Sequence, residues 1–181
     1  MGREIRRVPE DWEHPVYTDD LVTESQRGRI GKPIAMYDED IETATRKWVD
    51  GAALWIQGKH PDQQFAAENG TDYPDWYERT FYAYSTHESR SPDPESYRRP
   101  FVSEPTHYQV YETVSEGTPV SPVFATTDEM IDWLTSVPMG GVNEVPLSRK
   151  AAAKFVEYEY APSFIVDARG LRTGVEALED A

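Results

Sequence analysis

The segment that most constrains the fold is residues 106–134, because the spacing of its apolar side chains changes halfway along. Residues 106–114 (THYQVYETV) alternate between two faces, which is typical of a β-strand. Farther on, Thr126 is followed three residues later by Glu129, and an apolar run comes next, which is the pattern of a capped helix start. We therefore predict a strand, a stiff polar loop and a helix.

Two other segments predict helices. In residues 38–58 apolar side chains recur every three or four positions and Gly58 provides a stop, so we predict a helix capped by Asp38. Residues 146–160 predict a second helix, capped by Ser148. Trp48 and Trp55 fall on the apolar side of the first helix, and we expect both of them in the core.

Two short runs predict strands. Residues 78–87 (ERTFYAYSTH) alternate well enough for one strand, and residues 163–167 (SFIVD) predict a short buried strand. Together the elements predict an α+β fold with about three helices packed on a small, mostly antiparallel sheet.

The domain organisation follows from proline and turn residues. Pro9, Pro15 and Pro33 each disfavour helix at the preceding residue, so residues 1–34 predict an extended N-terminal arm. We expect residues 35–181 to form a single α+β domain. The turn-rich stretch at about 60–105 predicts an irregular insertion in that domain.

The charge of the chain limits its partners. It has 33 acidic and 18 basic side chains, for a net charge of −15. Such a surface repels nucleic acid phosphates and anionic membranes, and it favours a host or phage protein with a basic surface. Solubility is the simpler explanation of the same charge. The chain has no cysteine, which excludes disulfides and thiolate metal sites.

The loop ETVSEGTPVSP at 112–122 is the first candidate for a ligand site. Its backbone N–H groups and hydroxyls suit an anion, whereas the same hydroxyls could satisfy the loop's own backbone instead, and the Glu116 carboxylate would oppose an anion. An arginine guanidinium group can bind a phosphate, and an aromatic ring can stack on a base. A nucleotide-like ligand is therefore one option. The tentative ligand-binding set is Arg3, Arg6, Arg7, His107, Tyr111, Glu112, Ser115, Glu116, Gly117, Thr118 and Ser121.

Evidence for catalysis or metal binding is weaker. The four histidines show no His-x-x-x-His spacing, although His87 beside Glu88 and His107 near Glu112 could meet acidic groups in space. We expect no metal, no cofactor and no catalytic residue. An enzyme remains an alternative, with a candidate acid–base set that fixes no reaction class: His107, Glu112, Ser115 and Glu116.

Three segments resemble a family of small uncharacterised bacteriophage and prophage proteins. They are MGREIRRVPEDWEHP at the start, THYQVYETVSEGTPVSPVFATTDEMIDWL at 106–134 and YAPSFIVDARGLRTGVEA at 160–177, which together make up about a third of the chain. Residues 60–100 depart most from the family pattern. The resemblance implies a phage or prophage origin and a host-cytoplasm setting, and it transfers no activity.

These observations predict a phage-encoded, non-catalytic accessory protein that binds a host or phage macromolecule. An anti-defence role or mimicry of nucleic acid would be specific forms of that function. Three alternatives stay open: a protein that binds or sequesters a small nucleotide-like ligand, an enzyme of unknown class, and a minor virion component.

Overall fold

A computed structural model describes residues 2–70, 78–88, 91–113, 117–138, 145–168 and 170–180. The chain forms two compact units. The sheet unit comprises Met1–Met36 and Phe101–Ala181, and the helical unit comprises Tyr37–Pro100. The division differs from the predicted arm and single domain, because the second unit is inserted between the two halves of the first.

Helices and strands come in separate runs along the chain and the main sheet is antiparallel, so the predicted α+β class is confirmed. The strands are β1 Arg3–Val8, β2 Tyr37–Asp40, β3 Tyr97–Arg98, β4 His107–Glu112, β5 Thr118–Pro119, β6 Tyr160–Ala161, β7 Ile165–Asp167 and β8 Gly170–Arg172. The described residues hold six α-helices, where about three were expected: α1 Ile41–Gln57, α2 Pro61–Asn69, α3 Phe81–His87, α4 Thr127–Leu134, α5 Arg149–Tyr158 and α6 Gly174–Ala177.

The main sheet belongs to the sheet unit and has the strand order β5-β4-β1-β6. All its pairs are antiparallel, as predicted, and β1 pairs with β4 from Arg3 opposite Glu112 to Val8 opposite His107. The start of the predicted arm is therefore an inner strand of the sheet. The 3-10 turns Asp19–Leu21 and Glu24–Arg29 follow it.

The apolar core of the sheet unit lies between the sheet and helices α4 and α5. Thr126 and Glu129 form the predicted capping box of α4, and the Ser148 hydroxyl accepts a hydrogen bond from the Ala151 N–H, so both predicted caps are confirmed. Burial of large side chains in this core contributes about 1.5–3 kcal/mol each. The fully buried members include Val110, Met130, Leu134 and Phe155.

The helical unit is built on α1, whose Trp55 is completely buried as expected. Trp48 is partly buried against the same cluster, and Gly58 ends the helix in the left-handed conformation. The predicted cap is wrong by two residues. Asp40 is the cap and accepts a hydrogen bond from the Thr43 N–H, whereas Asp38 lies within β2.

Two strand predictions need correction. Residues 81–87 form helix α3 and not a strand, because Thr80 caps the Ala83 N–H and the turn buries Ala83 and Tyr84 against α1. Strand β7 does form, and it pairs with β8. It is not buried as predicted, because the side chains of Phe164 and Val166 are largely exposed.

Candidate functional site

The predicted arginines Arg3 and Arg6 are structural groups of the sheet unit. Their residues are only 5% and 8% exposed. Arg3 donates to the Glu112 carboxylate at 2.9 Å. Arg6 donates to the Glu4 carboxylate and to the Met36 carbonyl, each at 2.7 Å. Buried guanidinium groups need such partners, because an unpaired buried charge is costly.

A hydrogen-bond network surrounds the buried Tyr111 ring. The Arg6 guanidinium carbon lies 4.3 Å from the ring centroid. The Tyr111 hydroxyl donates to the Gln109 side-chain oxygen at 2.8 Å and accepts from the Trp12 indole N–H at 3.0 Å. Tyr111 is therefore held by internal contacts on its face and at its hydroxyl.

His14 completes this network. Its Nε2–H donates to the Ile34 carbonyl at 2.7 Å, and its Nδ1 lies 3.3 Å from the Tyr111 hydroxyl. Burial lowers the pKa of His14 below its usual value, the Ile34 carbonyl opposes that shift, and the Arg6 charge adds to the lowering. The side chain is therefore favoured in its neutral form.

The candidate loop residues also make internal contacts. Gly117 has φ 96°, and a side chain there would overlap the Met36 carbonyl and the Arg6 guanidinium. Thr118 pairs with Glu112 in the sheet. The Ser121 hydroxyl accepts from the Val110 N–H and donates to the Pro122 carbonyl. Ser115 and Glu116 lie outside the described residues.

The remaining predicted residues are spread over the sheet. Arg7 is exposed above the Tyr108 ring, with 4.0 Å to the ring centroid. His107 and Glu112 stand at opposite ends of β4 on opposite faces, about 17 Å apart along a strand of that length. The structure therefore does not bring His107 and Glu112 together as parts of one acid–base set.

A cleft of about 580 Å³ opens in the helical unit. Four aromatic rings from four different elements line it: Tyr37 of β2, Trp48 of α1, Tyr84 of α3 and Tyr97 of β3. The remaining lining side chains that matter here are Glu39, Lys47, His60, Glu88 and Asp93.

Backbone pairing and helix packing position these rings. Tyr37 and Tyr97 are paired in the parallel β2–β3 ladder, and their ring centroids lie 4.9 Å apart. Trp48 and Tyr84 come from packed helices, with centroids 5.3 Å apart. Gly51 makes this packing close, because a side chain there would overlap the Tyr84 hydroxyl.

The cleft is negatively charged. Three carboxylates line it, and Lys47, the one lysine or arginine among its described lining residues, pairs with Glu39. Burial raises the pKa of Tyr84, and the Glu88 carboxylate adds to the shift. Burial likewise raises the pKa of Tyr97, with smaller contributions from Tyr37 and Glu39. Burial disfavours the phenolate form of both side chains, and only the smaller contributions from Glu88 and Glu39 reflect the negative charge of the cleft.

Two histidines and two carboxylates converge at one end of the cleft. His87 Nε2 lies 2.7 Å from Asp62 Oδ2 and 3.8 Å from Glu88 Oε1. His60 Nδ1 lies 3.7 Å from Asp62 Oδ2, and its Nε2 lies 4.0 Å from Glu88 Oε1. Imidazole nitrogens and carboxylate oxygens are metal ligands, and among the described residues His60, Asp62 and Glu88 place their ligand atoms close enough together to share an ion, with His87 beside them.

Sequence reasoning missed both features because their residues are far apart along the chain. The stretch at about 60–105 supplies His60, Tyr84, Glu88, Asp93 and Tyr97, and it predicts an irregular insertion. One signal in this stretch could have indicated a packed region. It contains many aromatic and histidine residues among its turn residues, and a solvent-exposed connection usually has few. The adjacency of His87 and Glu88 in the sequence suggests that these two could meet in space, whereas nothing in the spacing points to His60 and Asp62.

Comparison with protein-family models, with curated proteins and with solved structures gives no match to this chain. The resemblance to phage proteins therefore stays a prediction. Among the described residues, none of the helices combines the length and the apolar character that crossing a membrane requires.

Proposed function

We propose that this chain is a non-catalytic binding protein whose cleft in the helical unit receives an arginine or lysine side chain of a basic protein partner. The observation that carries the proposal is the combination, in one cleft, of four aromatic rings with three carboxylates.

Aromatic faces attract cations, because the ring quadrupole places negative charge above and below the ring. Each such contact contributes about 0.5–2 kcal/mol, with the larger values in desolvated sites. Glu39, Glu88 and Asp93 add direct charge attraction. A guanidinium or ammonium group satisfies both requirements at once, since it is flat or compact and carries several donors.

The same charges argue against a nucleotide in this cleft. Aromatic rings would stack a base, but a phosphate needs cations or free N–H groups. Lys47 is already paired with Glu39, and its side chain is 71% exposed. The three carboxylates would repel the phosphate, so a cationic ligand is the better match.

The net charge of −15 extends the attraction beyond the cleft. A surface of one sign steers an oppositely charged partner and raises its association rate. In the phage setting that the sequence resemblance implies, a host or phage protein that normally contacts nucleic acid presents such a basic surface. An anti-defence role would be one use of this binding.

Isothermal titration of the full chain with a capped hexa-arginine peptide tests the proposal. EDTA is included so that metal ions play no part. Tyr97→Ala should lower the affinity about tenfold through the loss of a cation–π face. Asp93→Asn should lower it up to about fivefold, and higher salt should weaken binding further.

Two variants serve as matched controls. Tyr82→Ala removes an exposed tyrosine of the same unit that does not line the cleft, and Glu95→Gln neutralises a carboxylate two residues beyond Asp93. Both controls should bind like the wild type. Equal peptide affinities of Tyr97→Ala and Tyr82→Ala would overturn the proposal. So would a wild-type chain that binds AMP and does not bind the peptide.

A further inference from the structure

We infer that the histidine–carboxylate cluster, His60, Asp62, His87 and Glu88, is a binding site for a transition-metal dication of the zinc class. This inference does not rest on the proposed cation cleft, although His60 and Glu88 also line that cleft.

The separations in the cluster are close to those that a tetrahedral ion imposes. Ligands about 2.0–2.1 Å from a zinc ion stand about 3.3–3.5 Å from one another. The four measured separations run from 2.7 to 4.0 Å. These four of the six ligand pairs therefore lie within about 1 Å of the spacing that a shared ion needs.

The ligand types select the class of metal. Two imidazoles with two carboxylates suit Zn²⁺ and Co²⁺, whereas Mg²⁺ and Ca²⁺ prefer sites built entirely from oxygen ligands. His60 presents a nitrogen toward each carboxylate, with Nδ1 toward Asp62 and Nε2 toward Glu88. Because Nδ1 also accepts a hydrogen bond from the Asp62 backbone N–H at the start of α2, Nε2 is the nitrogen better placed to bind an ion.

Neighbouring rings hold both imidazoles in place before any ion binds. The Trp55 ring centroid lies 4.7 Å from that of His87 and 5.4 Å from that of His60. Tyr84 also packs against His60, at 5.7 Å. Supporting contacts of this kind orient metal ligands and raise affinity.

The position of the cluster gives the ion a structural purpose. His60 and Asp62 stand at the start of α2, and His87 and Glu88 stand at the end of α3. Helix α2 buries a single residue, Ala66, so its apolar contacts alone attach it weakly. A shared ion would link α2 to α3, and metal binding would stabilise the fold.

Titration of the metal-free full chain with Co²⁺ and Zn²⁺ tests the inference. We expect one ion per chain, visible absorption bands of tetrahedral Co²⁺, and a higher melting temperature with Zn²⁺. Mg²⁺ should give none of these changes. Asp62→Asn and His87→Gln should each weaken Zn²⁺ binding at least about tenfold.

The control variant is His107→Gln, which removes a histidine of the sheet unit and should bind Zn²⁺ like the wild type. The melting temperature of each metal-free variant shows that it folds. Absence of saturable Zn²⁺ binding in the micromolar range by the wild type would overturn the inference. Wild-type affinity in both Asp62→Asn and His87→Gln would overturn it as well.

Discussion

The buried polar layer of the sheet unit and the cleft of the helical unit use similar side chains to different ends. In the sheet unit, Arg6 lies over the Tyr111 ring and bonds to Glu4 and to a carbonyl. In the cleft, tyrosine and tryptophan rings stand beside carboxylates with a single paired lysine among them. In the first region a buried arginine packs on the ring, whereas in the second the one lysine is largely exposed and pairs with Glu39.

This difference separates polar groups that bond to one another from polar groups that face open space. Arginine, tyrosine and glutamate in β1 and β4 suggested a ligand site from sequence, and the structure shows their groups bonded to one another. An aromatic and acidic set becomes a binding site when its groups converge on open space. Composition alone does not distinguish the two cases.

The largest expected effect tests the sheet unit. Arg6→Met should destabilise it by about 2–3 kcal/mol, because the Glu4 carboxylate and the Met36 carbonyl lose a buried donor. Amide hydrogen exchange of β1 and β4 measures the loss. Arg7→Met is the control and should cost less than about 1 kcal/mol, because Arg7 is exposed. Similar losses of stability in Arg6→Met and Arg7→Met would show that the sheet unit depends no more on the buried Arg6 than on the exposed Arg7.

An intermediate effect tests the cleft. A helix normally gains about 1 kcal/mol when glycine becomes alanine. Gly51→Ala should instead lose about 1–3 kcal/mol, because the new methyl group overlaps the Tyr84 hydroxyl. Chemical denaturation measures the change, and peptide titration should show weaker binding. Gly28→Ala has open space around it, so it should not lose stability and should leave peptide binding unchanged. A stabilised Gly51→Ala variant with normal binding would contradict the described packing of the cleft wall.

The smallest effect concerns pH and sharpens the account of the sheet unit. The pKa of His14 is lowered in the folded chain, so the unfolded chain takes up this proton first as pH falls. Stability should therefore decline from about pH 6.5 down to the folded pKa and change no further through this group. Melting temperatures across this range should show a weaker decline for His14→Gln. An unchanged profile in His14→Gln would exclude the effect.

Local signals made part of the fold predictable. Thr126 and Ser148 cap their helices through contacts within four residues, so the sequence contained the information needed. Asp40 was missed because Asp38 fits the same capping pattern. Helix α3 was missed because seven residues of alternating aromatics fit a strand equally well, and packing against α1 decides between them.

The candidate site was less predictable for a physical reason. A cap depends on neighbours in sequence, whereas the cleft depends on how β2, β3, α1 and α3 come together. Tyr37 and Tyr97 are 60 residues apart and meet through one backbone ladder. His60 and His87 reach the same carboxylates only after two helices have packed. No spacing pattern in the sequence predicts the Tyr37–Tyr97 pair or the convergence of His60 and His87.

The place of β1 in the sheet has a consequence for synthesis on the ribosome. About 100 residues separate β1 from its partner β4, and the whole helical unit lies between them in the chain. At ordinary translation rates β1 waits roughly 5–20 s for that partner. Arg3, Arg6 and Arg7 give this waiting strand three positive charges in six residues. With Glu4 the strand still has a net charge of +2, and like net charge discourages pairing with the same strand of another nascent chain. Arg3 and Arg6, which are buried in the finished sheet, therefore also protect the chain before the sheet exists.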